Sequence, residues 1–150
     1  MAIYNEYTIL SVISNLLKSS DKIGDKDQII VDAESTYNLV DENNVDTPAF
    51  ILELDDTIIT KASIKGSLLY GKMSISGTGM LLRNNRPFTD YKPLIVAFKH
   101  RIEDAFDSID KAKITIVKTK WSDFLLPSSL KATGFVMTIE VEVHSFNYSI

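Results

Sequence analysis

The sequence predicts an α+β domain, with two amphipathic helices packed on one face of a largely antiparallel β-sheet that contains a long β-hairpin. Three observations predict it. First, GFVMTIEVEVHSF at residues 134–146 alternates almost without a break. Phe135, Met137, Ile139, Val141 and Val143 fall on one side, and Thr138, Glu140, Glu142 and His144 on the other, the period of a strand with one buried face. Second, residues 5–20 and a stretch after Asp90 carry apolar residues every three or four positions, as a helix does when one stripe faces a core. Third, strand-like runs outnumber helical ones, and few are separated by a helix, which favours antiparallel pairing with the helices to one side.

At 150 residues the chain is expected to form one domain, 1–150, and to bury roughly 68–70% of the surface its unfolded form exposes. A hydrophobic content of 45% and a charged content of 24% are those of a globular chain, not a disordered one. With no cysteine, disulfide scaffolds, thiolate metal sites and cysteine nucleophiles are excluded. The opening MAIYNEYTIL holds an acid and no basic start, unlike a signal peptide. No apolar run approaches the ~20 residues of a membrane helix, so folding in a cytoplasm, without a membrane partner, is expected.

The first helix spans residues 5–20, with Asn5 as its N-cap and Ile9, Val12, Ile13, Leu16 and Leu17 as its stripe; Gly24 ends it in a turn. QIIVDA at 28–33 is a short strand. The polar residues 34–47, including DENN, are long for a connection inside a compact domain, a length that goes with function or motion. Pro48 opens a nearly all-apolar strand at 49–54, read as central and covered on both faces; a proline at a strand's first position sacrifices little, because its missing N–H need not join the ladder. Residues 58–82 read as a hairpin turning near Tyr70-Gly71, with Ile58, Ala62, Ile64 and Leu68 on one face of the first arm and Met73, Ile75 and Leu81 in phase on the second. RNNRP at 83–87 is a loop. Asp90 caps the second helix, whose early turn tolerates Pro93 and whose stripe is Leu94, Ile95, Phe98, Ile102, Ala105, Phe106 and Ile109. KITIVK at 113–118 is a strand, TKWSDFLLPSSLKAT at 119–133 a loop, and the alternating run closes the fold. Each of its inward side chains contributes roughly 1.5–3 kcal/mol when fully buried.

The net charge of −4 argues against a general nucleic-acid binder, and its distribution says more. Residues 27–60 hold nine acids (Asp27, Asp32, Glu34, Asp41, Glu42, Asp46, Glu53, Asp55 and Asp56) and no Lys or Arg, whereas residues 61–131 hold thirteen bases against six acids. Unlike patches on one chain suit head-to-tail self-association, which closes into rings or grows into filaments. Asp41, Glu42 and Asp46 on the acidic side and Lys61, Lys65 and Lys72 on the basic side are the residues assigned to that contact.

A search for chemistry yields little. His100 has Asp104 one turn on, but neither a third metal ligand nor a nucleophile joins them, and both His100 and His144 read as surface residues. Glu140 and Glu142 sit about 7 Å apart along one strand face, beside Thr138 and His144 and not in an apolar setting that would raise a pKa. SGTGM at 76–80 lacks the third glycine, the lysine and the following helix of a phosphate loop; glycines inside a strand pattern mark a bulge or a close approach. The acidic block lacks calcium-loop spacing, and the lysine-rich hairpin lacks the interleaved aromatics of a single-strand binder. No catalytic residue, cofactor or metal is expected, and the chain reads as a non-enzyme. WSDFLLP at 121–127 concentrates apolar anchors, so Trp121, Phe124, Leu125 and Leu126 are assigned to a subunit or partner interface.

In layout the chain resembles the tail terminator (tail-completion) proteins of long-tailed bacteriophages. The features that carry this are the amphipathic helix YTILSVISNLLKSS, the acidic loop leading into VDTPAFILEL, the long strand pair, the helix KPLIVAFKHRIEDAFDSID, and the loop with Trp and Ser running into WSDFLLPSSLKATGFVMTIEVEV. They span most of the chain and match in element order and length, not by a diagnostic motif. The 34–47 segment departs from the pattern. The resemblance implies a structural virion protein: a homo-oligomeric, hexameric ring that caps the tail tube, contacts the tail-tube and head–tail connector proteins, and lets DNA pass through its lumen. It also implies a place in the virion tail after assembly in the host cytoplasm. The alternatives are a head–tail connector or tail-tube subunit, and a small-ligand-binding α+β domain with a pocket between helices and sheet.

Overall fold

Helix α1, Glu6–Lys18, buries Ile9, Val12, Ile13 and Leu17 of the stripe its spacing predicts, and Leu10 besides, while Leu16 is only partly buried. The structure, a computed structural model, describes residues 6–24, 27–31, 48–62, 69–83, 87–109, 114–125 and 131–142, and of residues 56–62 and 69–71 the backbone alone. After α1 come β1 (Gln28–Val31), β2 (Ala49–Ala62), β3 (Leu69–Leu82), α2 (Phe88–Asp107), β4 (Ile114–Leu125) and β5 (Lys131–Glu142). The strands form one sheet in the order β1-β2-β3-β5-β4. β1 and β2 are parallel, and every other pair is antiparallel. The fold is therefore α+β, with β2 and β3 as the long hairpin.

Both helices pack on one face. Ile9, Ile13 and Leu17 of α1 and Ile95, Phe98, Ile102 and Phe106 of α2 share a cluster with Phe50, Leu52, Met73, Ile75, Leu81, Phe135, Met137, Ile139 and Val141 of the sheet. The four described inward residues of the last strand, Phe135 to Val141 by twos, are fully buried, as the alternation predicts. On the opposite face Ala49, Ile51, Met80, Leu82 and Ala132 form a smaller cluster with Ile30 and Phe124. The start of β2 is thus apolar on both sides, as expected of residues 49–54.

Four boundaries differ from the sequence expectation. The strand at 49–54 and the first hairpin arm are one strand, because a bulge between Leu54 and Thr57 shifts the alternation that had separated them. The turn is not at Tyr70-Gly71: these pair with Lys61 and Ile59 inside the β2–β3 ladder. Residues 119–125 are not a loop but the second half of β4, with Trp121 opposite Phe135 and Leu125 opposite Lys131. Their alternation is obscured because an edge strand keeps polar residues on both faces. Helix α2 starts at Phe88 behind an extended Pro87, so Asp90 lies in its first turn, where a carboxylate favours the positive helix end, and does not cap it. Tyr91 takes the buried place assigned to Leu94, which is exposed. Asn5, residues 34–47 and His144 lie outside the described residues.

The glycines of SGTGM serve packing. On the helix-facing side of β3, a methyl group at Gly77 would collide with the Phe50 ring and one at Gly79 with the Phe135 ring. Those rings fill the space: Phe135 lies 6.2 Å from Phe50 and 6.1 Å from Phe98, and Phe50 meets Phe106 edge-on at 6.2 Å. Gly134 does the same for the backbone, since a methyl there would strike the Gly79 carbonyl.

One ion pair ties the connection before β1 to α2. Arg101 donates from Nε and Nη2 to the Asp27 carboxylate at 3.2 and 3.1 Å, and the Gly24 N–H donates to the same carboxylate at 2.8 Å. The Asp27 side chain is only 4% exposed. This acid, counted with the acidic stretch, is therefore internal and neutralised by a base from the other half of the sequence.

Gly79→Ala is expected to lower stability by about 1–3 kcal/mol through overpacking, and Gly134→Ala by more, because its obstacle is backbone and not a ring. Urea midpoints by circular dichroism check both; an unshifted midpoint for either contradicts the packing described. Arg101→Ala is expected to cost about 1–3 kcal/mol by leaving a buried carboxylate short of donors, read by the same titration.

Candidate docking surface

At the end of the sheet where β4 finishes, α2 begins and β3 stops, several exposed groups converge. Lys92, on the first turns of α2, places its ammonium 5.0 Å from the Trp121 ring centre and 5.8 Å from that of Phe88. The Phe88–Lys92 spacing of four puts both on one helix face. Trp121, 41% exposed, rests edge-on against Phe135 at 5.8 Å, and Phe88 rests edge-on against Tyr91 at 5.9 Å. An ammonium between two aromatic rings is held by their negative faces. The result is a half-buried platform whose outer surface is aromatic and positively charged.

Beside it, Arg83 stacks 5.3 Å from the Tyr91 ring and pairs with Asp123 at 2.5 Å. The hydrogen bond from Arg83, helped by one from Thr133, holds the Asp123 carboxyl below the usual carboxylate range, and Asp123 in turn raises the Arg83 guanidinium. Arg83, Asp123, Phe124, Leu125 and Lys131 line an open cleft of about 330 Å³. Leu125, 70% exposed, forms its rim.

The structure separates the residues assigned from sequence. Trp121 and Phe124 sit on opposite faces of β4: Trp121 opposes Phe135 on the helix side, and Phe124 packs half-buried with the Ile51 cluster on the other. They are strand residues and not one loop contact, with Leu125 at the strand's end. Lys72 lies exposed on the helix-free face, 4.0 Å from Glu140, so a carboxylate of the same chain already faces it. Lys61 pairs with Tyr70 in the backbone ladder, and its side chain lies outside the described residues, as do Lys65, Asp41, Glu42, Asp46 and Leu126. His100 is exposed, with Nδ1 3.5 Å from Glu103 and not from Asp104. Sequence reasoning missed Phe88, Lys92 and Arg83; the Phe88–Lys92 spacing was the only local signal, because their partner Trp121 is distant in the chain.

The arrangement suits docking. Among the described residues no three His, Asp or Glu side chains cluster as metal ligands do, and no helix is long and apolar enough to cross a membrane. No family model matches the chain, and no curated protein is significantly similar to it.

The folded-state pKa of Asp123 is lowered. Its contribution is therefore full above the ordinary aspartate value of about 3.9 and is lost as pH falls through the depressed folded value. Asp123→Asn is expected to flatten the fall of stability at that acid end and to lower neutral-pH stability by the same amount, a small one because the pair is largely solvated. Urea midpoints measured across the acid range check this; an unchanged acid slope contradicts it.

Proposed function

We propose that the protein is a structural subunit that works by assembly: a tail terminator ring that caps a phage tail tube and offers its free face to the head–tail connector. The observation that carries the assembly reading is the edge strand β4. It exposes Val117, Trp121 and Leu125 beside the aromatic–cationic platform, and apolar anchors within a charged surround are the composition of a protein contact. The phage assignment rests on the resemblance in element order. In this reading the partners are further copies of the chain, the tail-tube protein and the connector; DNA only passes through the lumen; and the protein resides in the virion tail after assembly in the host cytoplasm. It carries out no catalysis and uses no cofactor.

The small-ligand reading placed a pocket between helices and sheet. That space is filled by Phe50, Phe98, Phe106 and Phe135, so this form of it loses support. Among the described residues, the cleft of Arg83, Asp123 and Lys131, at the small end of ligand sites, is a place this reading could still use.

Sedimentation velocity and negative-stain images of the full chain test the proposal. A single ring-sized species at high micromolar concentration is expected, and Leu125→Asp should shift it toward monomer with an unchanged circular dichroism spectrum. A wild-type chain that remains monomeric there overturns the proposal.

A further inference from the structure

We infer that Lys118 and Lys120 guard the outer edge of β4, so that copies of the chain do not join by pairing β4 with β4 and dock instead through side chains at the Trp121–Leu125 end. The inference rests on the assembly reading above and names how its contact is restricted.

β4 has the exposure of an edge. It is the last described strand at its side of the sheet, and among the described residues nothing pairs with its outer side. Seven of its twelve residues are exposed and none is buried, whereas β3, flanked on both sides, exposes only Lys72 among its described side chains. Such an edge offers a row of backbone N–H and C=O groups to any extended chain. Its exposed Val117, Trp121 and Leu125 add apolar surface to that offer, so pairing with another copy of itself is the association it must avoid.

A twofold rotation that keeps the helices of two copies on one side brings β4 against β4 antiparallel, one surface meeting itself. Opposed residues then share a face. Lys118 opposes Thr138 and Lys120 opposes Val136, and their neighbours Phe135 and Met137 belong to the helix-side core, so both lysines stand on the face away from the helices. The registers that overlap most of the strand are centred on Lys118, Thr119 or Lys120. Centred on Thr119, Lys118 of each copy faces Lys120 of the other; centred on either lysine, that residue faces its own duplicate. Like charges directly opposite destabilise a strand pair. Centred on Trp121, the lysines escape each other, but the bulge between Ile116 and Lys118 then falls opposite Leu125 and interrupts the ladder.

The same lysines cost the fold nothing. Their inner neighbours in β5, Thr138 and Val136, are uncharged, and no ion pair among the described residues involves either lysine. Their charge therefore acts on what approaches from outside.

The test compares the wild-type full chain with Lys118→Thr/Lys120→Thr and Lys118→Glu/Lys120→Glu by sedimentation velocity at high micromolar concentration, with circular dichroism as the check of fold. The threonine variant is expected to gain a species heavier than any wild type forms, because threonine suits a strand and carries no charge. The glutamate variant alone is expected to keep the wild-type profile, since its edges still repel. Mixed with wild type in equal amounts, it is expected to give a heavier species, because each lysine then faces a glutamate. A threonine variant or an equal mixture that keeps the wild-type profile overturns the guard, and so does a glutamate variant that grows heavier alone. Each comparison is made against wild type at whatever size it has, so a monomeric wild type overturns the ring reading alone.

Discussion

Two absent side chains, at Gly77 and Gly79, set how the helices sit on the sheet. A strand at the centre of a sheet ordinarily presents a β-branched or aliphatic side chain at every second position. β3 instead presents hydrogen atoms at two successive inward positions, and the rings of Phe50 and Phe135 lie across the space from the strands on either side. Phe98 and Phe106 of α2 then rest on those rings. The helix is seated by aromatic contacts that a single methyl group on β3 would displace. Gly134 extends the same constraint to the backbone by letting β5 approach the Gly79 carbonyl. Phe135 also supports Trp121 from beneath, so the exposed platform takes its position from the same core.

The sequence displayed elements whose environment matches their periodicity. The last strand was legible because a face buried by helices and a polar face opposite impose strict alternation, and its described inward residues are all buried. The start of β2 was legible for the converse reason, since apolar clusters on both faces remove the alternation. β4 was not legible beyond residue 118: its helix side holds Thr119, Trp121 and Asp123, and its other side Lys120, Ser122 and Phe124, so neither face is consistently apolar. The bulge after Leu54 hid the continuity of β2 because an inserted residue inverts the phase.

The platform was illegible for a different reason. Lys92, Trp121, Phe88 and Arg83 come from three elements, and only the Phe88–Lys92 pair is close in sequence. The charge layout was half informative. Linear counting divided the chain into acidic and basic parts, but folding pairs Asp27 with Arg101, Asp123 with Arg83, and Lys72 with Glu140. The Asp27–Arg101 pair joins the two parts, whereas Asp123 and Arg83 both belong to the basic one; position in the sequence therefore does not decide which charges meet.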